Sequence, residues 1–240
     1  MKRLITLFAA AVVLSTAPSL LADDVAPTPI HSSDKLVSSL VRQAPGLSSR
    51  VLKLALQAAQ AADARGLLKR PDVLTVIDYS LPSTKPRLFV FDLVARKLLF
   101  RELVAHGRSS GGDLATFFSN NPGSMATSLG LFVTADTYFG GNGYSLRLRG
   151  LEEGINDMAW SRAVVIHGAA YVSQQAIRAL GRLGRSWGCP AVRQEIAGKI
   201  IDTIRDGSAL FAYYPEKSWL STSAFVQAPA SQSQPRHQSR

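Results

Sequence analysis

The chain has 240 residues, 46% of them hydrophobic and 18% charged, and it carries a formal net charge of +10 at pH 7. Between its two ends lie about 200 residues, enough for one domain with a core of its own. The positive charges are scattered and no basic run is interleaved with aromatic residues, which argues against nucleic acid as a partner. Anionic envelope polymers and anionic lipid surfaces stay candidate partners, as does a solvated basic surface with no specific partner.

The N-terminal end is typical of a secretory signal peptide over residues 1–22. A basic start precedes a largely apolar run at 4–14, and small residues with a proline follow at 15–22. The run is too short to span a bilayer, so we expect cleavage after Ala22 and no integral membrane anchor in the mature protein. The predicted location is outside the cytoplasm, in the periplasm or cell envelope.

Residues 34–72 are predicted to form a short helical N-terminal segment. Apolar residues recur there at helical spacing, and a Pro-Gly pair at 45–46 interrupts the pattern. Ser48 or Ser49 is suited to cap a second helix, which Gly66 would end.

Residues 73–220 have the texture of a mainly β domain, because short runs of β-forming residues alternate with turn residues. The fold class we predict is mainly β with appended helices, an antiparallel β-sandwich or barrel preceded by the helical segment. The predicted strands are residues 73–79, 87–93, 97–105, 130–136, 144–149, 162–167 and 209–214.

Two helices are predicted late in this domain, at residues 173–180 and 190–206. Proline is favoured at the first position of a helix, so Pro190 is expected to begin the second helix and to put Cys189 at its N-cap. The free amides and the positive dipole end of a helix N-terminus would favour the thiolate form of that cysteine.

Cys189 is the only cysteine in the chain, and exported proteins usually avoid cysteine or pair it in disulfides. It has no partner within its own chain, which leaves a reactive thiol or a small buried hydrophobe. His167 stands in a second glycine-marked turn upstream, and the pair suits a thiolate nucleophile with an imidazole base. His237 falls within residues 221–240, which are predicted to form a disordered tail.

Two motifs carry a resemblance to a known family. Residues 167–172 read His-Gly-Ala-Ala-Tyr-Val, and residues 185–191 read Arg-Ser-Trp-Gly-Cys-Pro-Ala. Together they resemble the L,D-transpeptidases of peptidoglycan that have the YkuD-like catalytic domain, above all the branch with Arg-Ser-Trp-Gly-Cys-Pro-Ala. Shorter similar stretches extend the resemblance over most of residues 73–214. It implies the antiparallel β-sandwich or barrel of that catalytic type.

The resemblance also implies roles for individual residues. Cys189 would be the nucleophile that forms a thioester with a donor stem peptide, and His167 would be the general base. The backbone carbonyl of Gly168 would orient the imidazole, and the amides of Gly188 and Cys189 would hold the oxyanion. The implied partners are peptidoglycan stem peptides, and no cofactor is implied. The sequence shows no metal-ligand spacing.

The chain departs from the commoner branches of the family beside the cysteine. Those branches have a second histidine where this chain has Trp187, and an arginine, often linked to donor recognition, where it has Ala191. Arg193 is a candidate substitute for that arginine. The further candidate substrate-binding residues are Arg185, Ser186, Trp187 and His106. For His106 a packed or surface histidine is the preferred interpretation.

Chain order separates this interpretation from other cysteine enzymes. Papain-like and NlpC-like peptidases place the cysteine before the histidine, and a sortase has its histidine much further upstream. Two alternatives stay open: an L,D-carboxypeptidase, in which water takes the acyl group, and a non-catalytic cell-wall-binding protein. The type of cross-link is open too. It either joins two diaminopimelate residues or is a shorter bond that uses the first residue of the stem as the donor.

Overall fold

The computed structural model describes residues 34–227, and two helices open this part of the chain. They are α1 (Asp34–Gln43) and α2 (Ser49–Asp63). Ser48 caps α2 by accepting a hydrogen bond from the Val51 N–H at 3.2 Å, which satisfies one of the free amides of the first turn. Both helices pack their apolar faces into the main core, as their sequence pattern predicts.

One nine-stranded sheet forms the rest of the framework, with the strand order β3-β2-β1-β9-β5-β6-β7-β8-β4. The strands are β1 (Arg70–Asp78), β2 (Leu88–Asp92), β3 (Lys97–Glu102), β4 (Val104–Ala105), β5 (Gly130–Gly140), β6 (Gly143–Gly150), β7 (Val165–Ala169), β8 (Ala191–Arg193) and β9 (Ser208–Tyr213). The central strands are buried along most of their length, which their β-branched and aromatic residues favour. The prediction of a mainly β fold is confirmed.

The sheet curls until its two ends approach each other. β3 and β4 stand at opposite ends of the strand order, yet only Leu103 separates them in the chain. Arg193 on β8 donates to both carboxylate oxygens of Glu102 on β3, each at 2.8 Å. The result is a nearly closed barrel. Its neighbouring strands are antiparallel except for the pairs β1–β9 and β7–β8, which are parallel.

The helix predicted at residues 190–206 begins later than expected. Ala191–Arg193 form β8, and the helix, α4, covers Gln194–Ile204. Val192 is fully buried between β7 and β4, and the backbone there pairs with strands on both sides, which a helical backbone could not do. Cys189 therefore precedes a strand, and the prediction that it caps a helix is wrong.

Two further α-helices and two short 3₁₀ helices, Arg108–Ser110 and Asp157–Ala159, complete the described chain. α3 (Gln174–Leu180) lies where a helix was predicted, and α5 (Lys217–Thr222) follows the last strand. Trp219 on α5 and Phe225 beyond it are both buried. The domain boundary predicted after residue 220 thus falls inside an ordered helix that packs on the core.

The signal peptide predicted at residues 1–22 lies outside the described residues, and so does the predicted tail beyond residue 227. Across residues 34–227, no helix combines the length and the apolar character that crossing a membrane requires.

Strands β6 and β7 have two distinct faces. Successive side chains of a strand point to opposite faces. A Cβ on Gly168 would lie 3.0 Å from the Ala197 Cβ of α4, so that face is closed by the helix. His167 points to the other face, together with Ser145, its directly paired neighbour on β6. The sheet thereby separates the predicted base from the helical layer.

Candidate active site

Cys189 lies in the turn just before β8, alongside strand β7. The parallel register of the two strands pairs Ala191 with His167, so the turn that carries the cysteine leads into the strand next to the histidine's. The Cys189 Sγ accepts a hydrogen bond from the Val165 N–H at 3.4 Å and donates one to the Ala163 carbonyl oxygen at 3.8 Å. The structure therefore places the free thiol beside the strand that carries the predicted base.

The His167 imidazole is oriented by the residue that follows it. Nδ1 lies 3.0 Å from the Gly168 carbonyl oxygen. Since a carbonyl only accepts, Nδ1 carries the proton and Nε2 keeps its lone pair. Burial lowers the pKa of His167, and the Gly168 carbonyl opposes that shift. The ring is thus neutral at neutral pH, in the tautomer whose Nε2 can accept a proton.

Ser186 organises the turn that leads into the cysteine. Its Oγ donates to the Cys189 carbonyl oxygen at 2.6 Å and accepts from the Gly188 N–H at 3.1 Å. Gly188 has a φ of +124°, and a Cβ there would lie 2.8 Å from the Ala126 carbonyl oxygen, so the position requires glycine. Ser186, a predicted substrate-binding residue, and Gly188, a predicted oxyanion residue, therefore both adjoin Cys189.

Arg185 and Trp187 flank that turn with different surroundings. Nη1 of Arg185 donates to the carbonyl oxygens of Arg108 and Gly111, at 3.2 and 2.8 Å, and so ties the turn to the loop after β4. Trp187 is 75% exposed. The Arg185 side chain therefore stabilises the turn through hydrogen bonds, whereas the Trp187 indole is largely exposed to solvent.

Arg193, the candidate substitute for the family's arginine, is engaged elsewhere. Besides Glu102 at the barrel seam, it donates to Glu195 Oε1 at 2.7 Å. Two carboxylates therefore hold its guanidinium, and the structure gives it no contact with the cysteine turn.

His106 belongs to a buried network centred on Arg87. The residue is 1% exposed, and its Nδ1 lies 2.7 Å from Arg87 Nη2. A guanidinium only donates, so Nδ1 is the acceptor. Burial, and after it the Arg87 charge, lowers the pKa of His106 to about 4. The backbone carbonyl of His106, rather than its ring, reaches the cysteine turn, where it accepts from the Ser186 N–H at 3.0 Å.

Sequence reasoning missed Arg162, which supplies the positive charge beside the thiol. Nη2 of Arg162 would lie 3.3 Å from a Cβ placed on Gly188. The guanidinium is held by four oxygens of one loop, at 2.6–3.2 Å. These are the Ser119 carbonyl, Ser128 Oγ, Ser124 Oγ and the Ala126 carbonyl. Because all four partners lie 34 to 43 positions upstream, no local pattern could have revealed this role.

The thiol of Cys189 is in a different electrostatic setting from the one expected. Burial raises its pKa, while the Val165 N–H and the Arg162 charge act in the opposite direction. The expectation that a helix N-terminus stabilises a resting thiolate is wrong, because the helix begins only at Gln194. The resting group is a thiol, and the groups that can stabilise the thiolate are the Val165 amide of β7, the Arg162 guanidinium and the backbone amide of Cys189 itself.

Among residues 34–227, four non-glycine residues have left-handed φ values, and two of them lie in turns near the cysteine. Met125 and Ala163, neither of them glycine, have φ values of 54° and 52°. Such left-handed residues cost on the order of 1–3 kcal/mol and are often found at functional sites. At Ala163 the strained turn aims the carbonyl at Cys189 Sγ and sets the direction of the preceding residue, Arg162.

The polar groups around Cys189 include an imidazole, a guanidinium, the Ser186 hydroxyl and backbone amides and carbonyls. In the part of the chain from 34 to 227, no cluster of three or more His, Cys, Asp or Glu side chains could hold a metal ion.

The sequence matches one family of known proteins. Residues 43–213 fit the model of the L,D-transpeptidase catalytic domain. No protein of curated function matches the sequence.

Several solved structures resemble the fold at low identity. L,D-transpeptidase 1 from Mycobacterium tuberculosis is 14% identical over 60% of this chain and 62% of its own, with a TM-score of 0.35. An L,D-transpeptidase from Xylanimonas cellulosilytica is 14% identical over 78% of this chain and 94% of its own, with a TM-score of 0.35. The helical cell shape determining protein Pgp2 from Campylobacter jejuni is 13% identical over 60% and 48%, with a TM-score of 0.38.

The chain spans 59% of the length of an L,D-transpeptidase from Mycobacterium smegmatis. These likenesses concern the fold alone, whereas the family model covers most of the chain.

Proposed function

The chain belongs to the family of L,D-transpeptidase catalytic domains, and we propose that it is a peptidoglycan L,D-transpeptidase that joins stem peptides through a thioester on Cys189. The observation that carries this proposal is the position of the single thiol, beside the strand that presents His167 in its proton-accepting tautomer. A cysteine and an oriented imidazole are the minimal equipment for covalent acyl transfer.

The proposed first half-reaction acylates the cysteine. Nε2 of His167 takes the thiol proton as Sγ attacks the donor carbonyl, and the carbonyl carbon becomes tetrahedral. The amide C–N bond then breaks, the imidazolium returns the proton to the departing amine, and the acyl group stays on sulfur as a thioester. The Gly168 carbonyl holds Nδ1–H throughout, which keeps Nε2 as the nitrogen that carries the moving proton.

The second half-reaction transfers the acyl group to the acceptor. An amine of a second stem peptide attacks the thioester, His167 takes a proton from that amine, and the thiol leaves with it. The products are a new amide bond and free Cys189. With water as the acceptor the same thioester would release a shortened stem, which is the L,D-carboxypeptidase alternative.

Two sets of groups would stabilise the charge that develops. The Val165 N–H and the Arg162 guanidinium face the sulfur and oppose the effect of burial on its pKa. The oxyanion would bind the amides of Cys189 and Gly188. At rest the Gly188 N–H donates to Ser186 Oγ, so we propose that this hydroxyl releases the amide when the oxyanion forms.

The proposed location is the periplasm or cell envelope, where the stem peptides are. It depends on the signal peptide expected at residues 1–22. N-terminal sequencing of the mature protein should begin after Ala22, and a mature chain that retains the apolar run would contradict export by cleavage.

The decisive experiment compares the wild type with Cys189→Ala on isolated cell wall, with muropeptides separated by mass. We expect new cross-linked muropeptides from the wild type and none from the variant, at equal circular dichroism and melting temperature. Trimmed, uncross-linked stems made by the wild type alone would favour the carboxypeptidase. Equal cross-linking by both proteins would refute Cys189 as the nucleophile.

A second experiment uses a carbapenem, which is an activated amide. Intact-protein mass spectrometry should show one adduct on the wild type and none on Cys189→Ala.

A further inference from the structure

Strand β6 carries two arginines on the face that holds the predicted base. Ser145 is paired directly with His167, and Arg147 with Val165, across the β6–β7 ladder. Directly paired residues point to the same side of a sheet, and so do residues two apart on a strand. Arg147 and Arg149 therefore continue the His167 face away from the imidazole.

Aromatic rings hold both guanidiniums in place. The Arg147 guanidinium lies 4.4 Å from the ring centroid of Tyr138 and 5.4 Å from that of Trp160. The Arg149 guanidinium lies 5.1 Å from the Trp160 centroid. Tyr138 on β5 is paired with Ser145, so the rings and the arginines form one continuous patch. We call Tyr138, Arg147, Arg149 and Trp160 the β6 patch.

Little anionic charge within the protein balances this patch. Arg147 has one carboxylate nearby, Asp136 at 3.4 Å, and the two side chains are 35% and 65% exposed, so the pair is weak. Among residues 34–227, no carboxylate lies within ion-pair distance of Arg149. A guanidinium whose flat face rests on a ring keeps its N–H edge for a planar acceptor, and carboxylates fit that edge with two hydrogen bonds.

The distance to the thiol suits one extended substrate. Val165 on β7 lies between Arg147 on β6 and Cys189, since it is paired with the arginine and its N–H donates to Sγ. Two strand spacings amount to roughly 10 Å. A carboxylate at the patch would thus sit several bonds from a carbonyl that reacts with the cysteine.

We propose that the β6 patch is a subsite for a substrate carboxylate, held by the N–H edges of Arg147 and Arg149 while the acyl carbon lies at Cys189. This inference rests on the proposed function, because the reacting carbonyl fixes the other end of the substrate. A side-chain carboxylate of a diaminopimelate stem peptide has the required charge and reach. The patch then supplies the positive charge that binds the donor. Ala191 has no charge to supply, and the Arg193 guanidinium is held by Glu102 and Glu195.

The test uses two tetrapeptide donors that differ only in that group, one with the free diaminopimelate side-chain carboxylate and one with its carboxamide. Wild type, Arg149→Gln and Arg147→Gln are compared with Arg178→Gln, an exposed arginine on α3 outside the patch. We expect the patch variants to raise KM for the carboxylate donor by roughly fivefold to thirtyfold. The kcat should change little, the carboxamide donor should be affected much less, and Arg178→Gln should match the wild type.

Equal losses on both donors, or unchanged KM values, would overturn the subsite. If the wild type turns over neither donor, the proposed function fails, and the subsite is judged by calorimetric binding to Cys189→Ala. A preference for the carboxylate peptide that disappears in Cys189→Ala/Arg149→Gln would then support it. Equal or undetectable binding of both peptides would refute it.

Discussion

Two segments of this protein have the same local sequence, a histidine followed by glycine, and opposite chemistry. His167-Gly168 lies in β7, and His106-Gly107 follows β4. Both rings are almost fully buried, and burial lowers the pKa of both. What differs is the partner of Nδ1: a carbonyl that accepts from His167, and a guanidinium that donates to His106.

The partner decides what each ring can do. The Gly168 carbonyl favours a proton on Nδ1, so His167 presents the lone pair of Nε2 and can become an imidazolium when a proton arrives. The Arg87 cation opposes any added proton on His106. A His-Gly pair is therefore a weak indicator of a general base until the hydrogen-bond partner of the imidazole Nδ1 is known.

The largest effect is expected when the two histidines are replaced one at a time. His167→Ala should lower the cross-linking turnover by roughly a hundredfold to ten-thousandfold, as loss of a general base does. His106→Ala should lower it much less per folded molecule, because that ring contacts Arg87. Initial rates on purified wall fragments, corrected for the folded fraction, measure both. If the two losses are reversed, the wrong histidine has been assigned as the base.

A second difference should appear in the dependence of stability on pH. The pKa of His106 falls from an ordinary 6.5 to about 4 on folding, so between these values the unfolded chain binds a proton that the folded chain does not. The contribution of His106 to the free energy of unfolding is therefore fully present above pH 6.5 and is lost as the pH falls towards 4. This loss is on the order of 2–3 kcal/mol.

His106→Gln should remove much of that slope in urea unfolding measured between pH 7 and pH 4.5. Some slope should persist, because the pKa of His167 is lowered too. A variant with the slope of the wild type would show that His106 already protonates freely in the folded protein.

A smaller effect is expected at Arg162, the charged neighbour of the thiol. Arg162→Gln removes the cation that favours the thiolate, so the pKa of Cys189 should rise and alkylation at pH 7 should slow by roughly threefold to tenfold. Iodoacetamide rates across a range of pH measure this directly, since the protein has one thiol.

Arg162→Lys serves as the matched variant, because it keeps the charge and loses the guanidinium fork. If the alkylation profile of Arg162→Gln equals that of the wild type, the arginine only fastens the loop at residues 119–128. If Arg162→Lys slows alkylation as much as Arg162→Gln does, the hydrogen-bonded placement of the guanidinium, and not its charge alone, sets the reactivity of the Cys189 thiol.

Local patterns predicted those parts of the fold that local forces determine. The helices α1, α2 and α3 and the mainly β class follow from periodicity and caps, and the motifs pointed to Cys189 and His167. The start of α4 could not be read this way. Pro190 favours a helix locally, but pairing of β8 with strands from distant parts of the chain outweighs that preference.

Glu152 shows the same limit, because its role appears only in three dimensions. The buried carboxylate accepts from the Leu131 N–H at 2.7 Å and from Trp219 Nε1 at 3.1 Å. It joins β5 to the helix after β9. No spacing along the chain connects these residues, so their common role required the structure.

The buried setting of Cys189 also bears on its durability. Peroxides attack thiolates far faster than thiols, and burial raises the pKa of this cysteine. The resting protein should therefore be slow to form a sulfenic acid, and it has no second cysteine to close a disulfide. If the proposed function holds, the sulfur becomes vulnerable to oxidants only during the part of the cycle in which its proton is on His167.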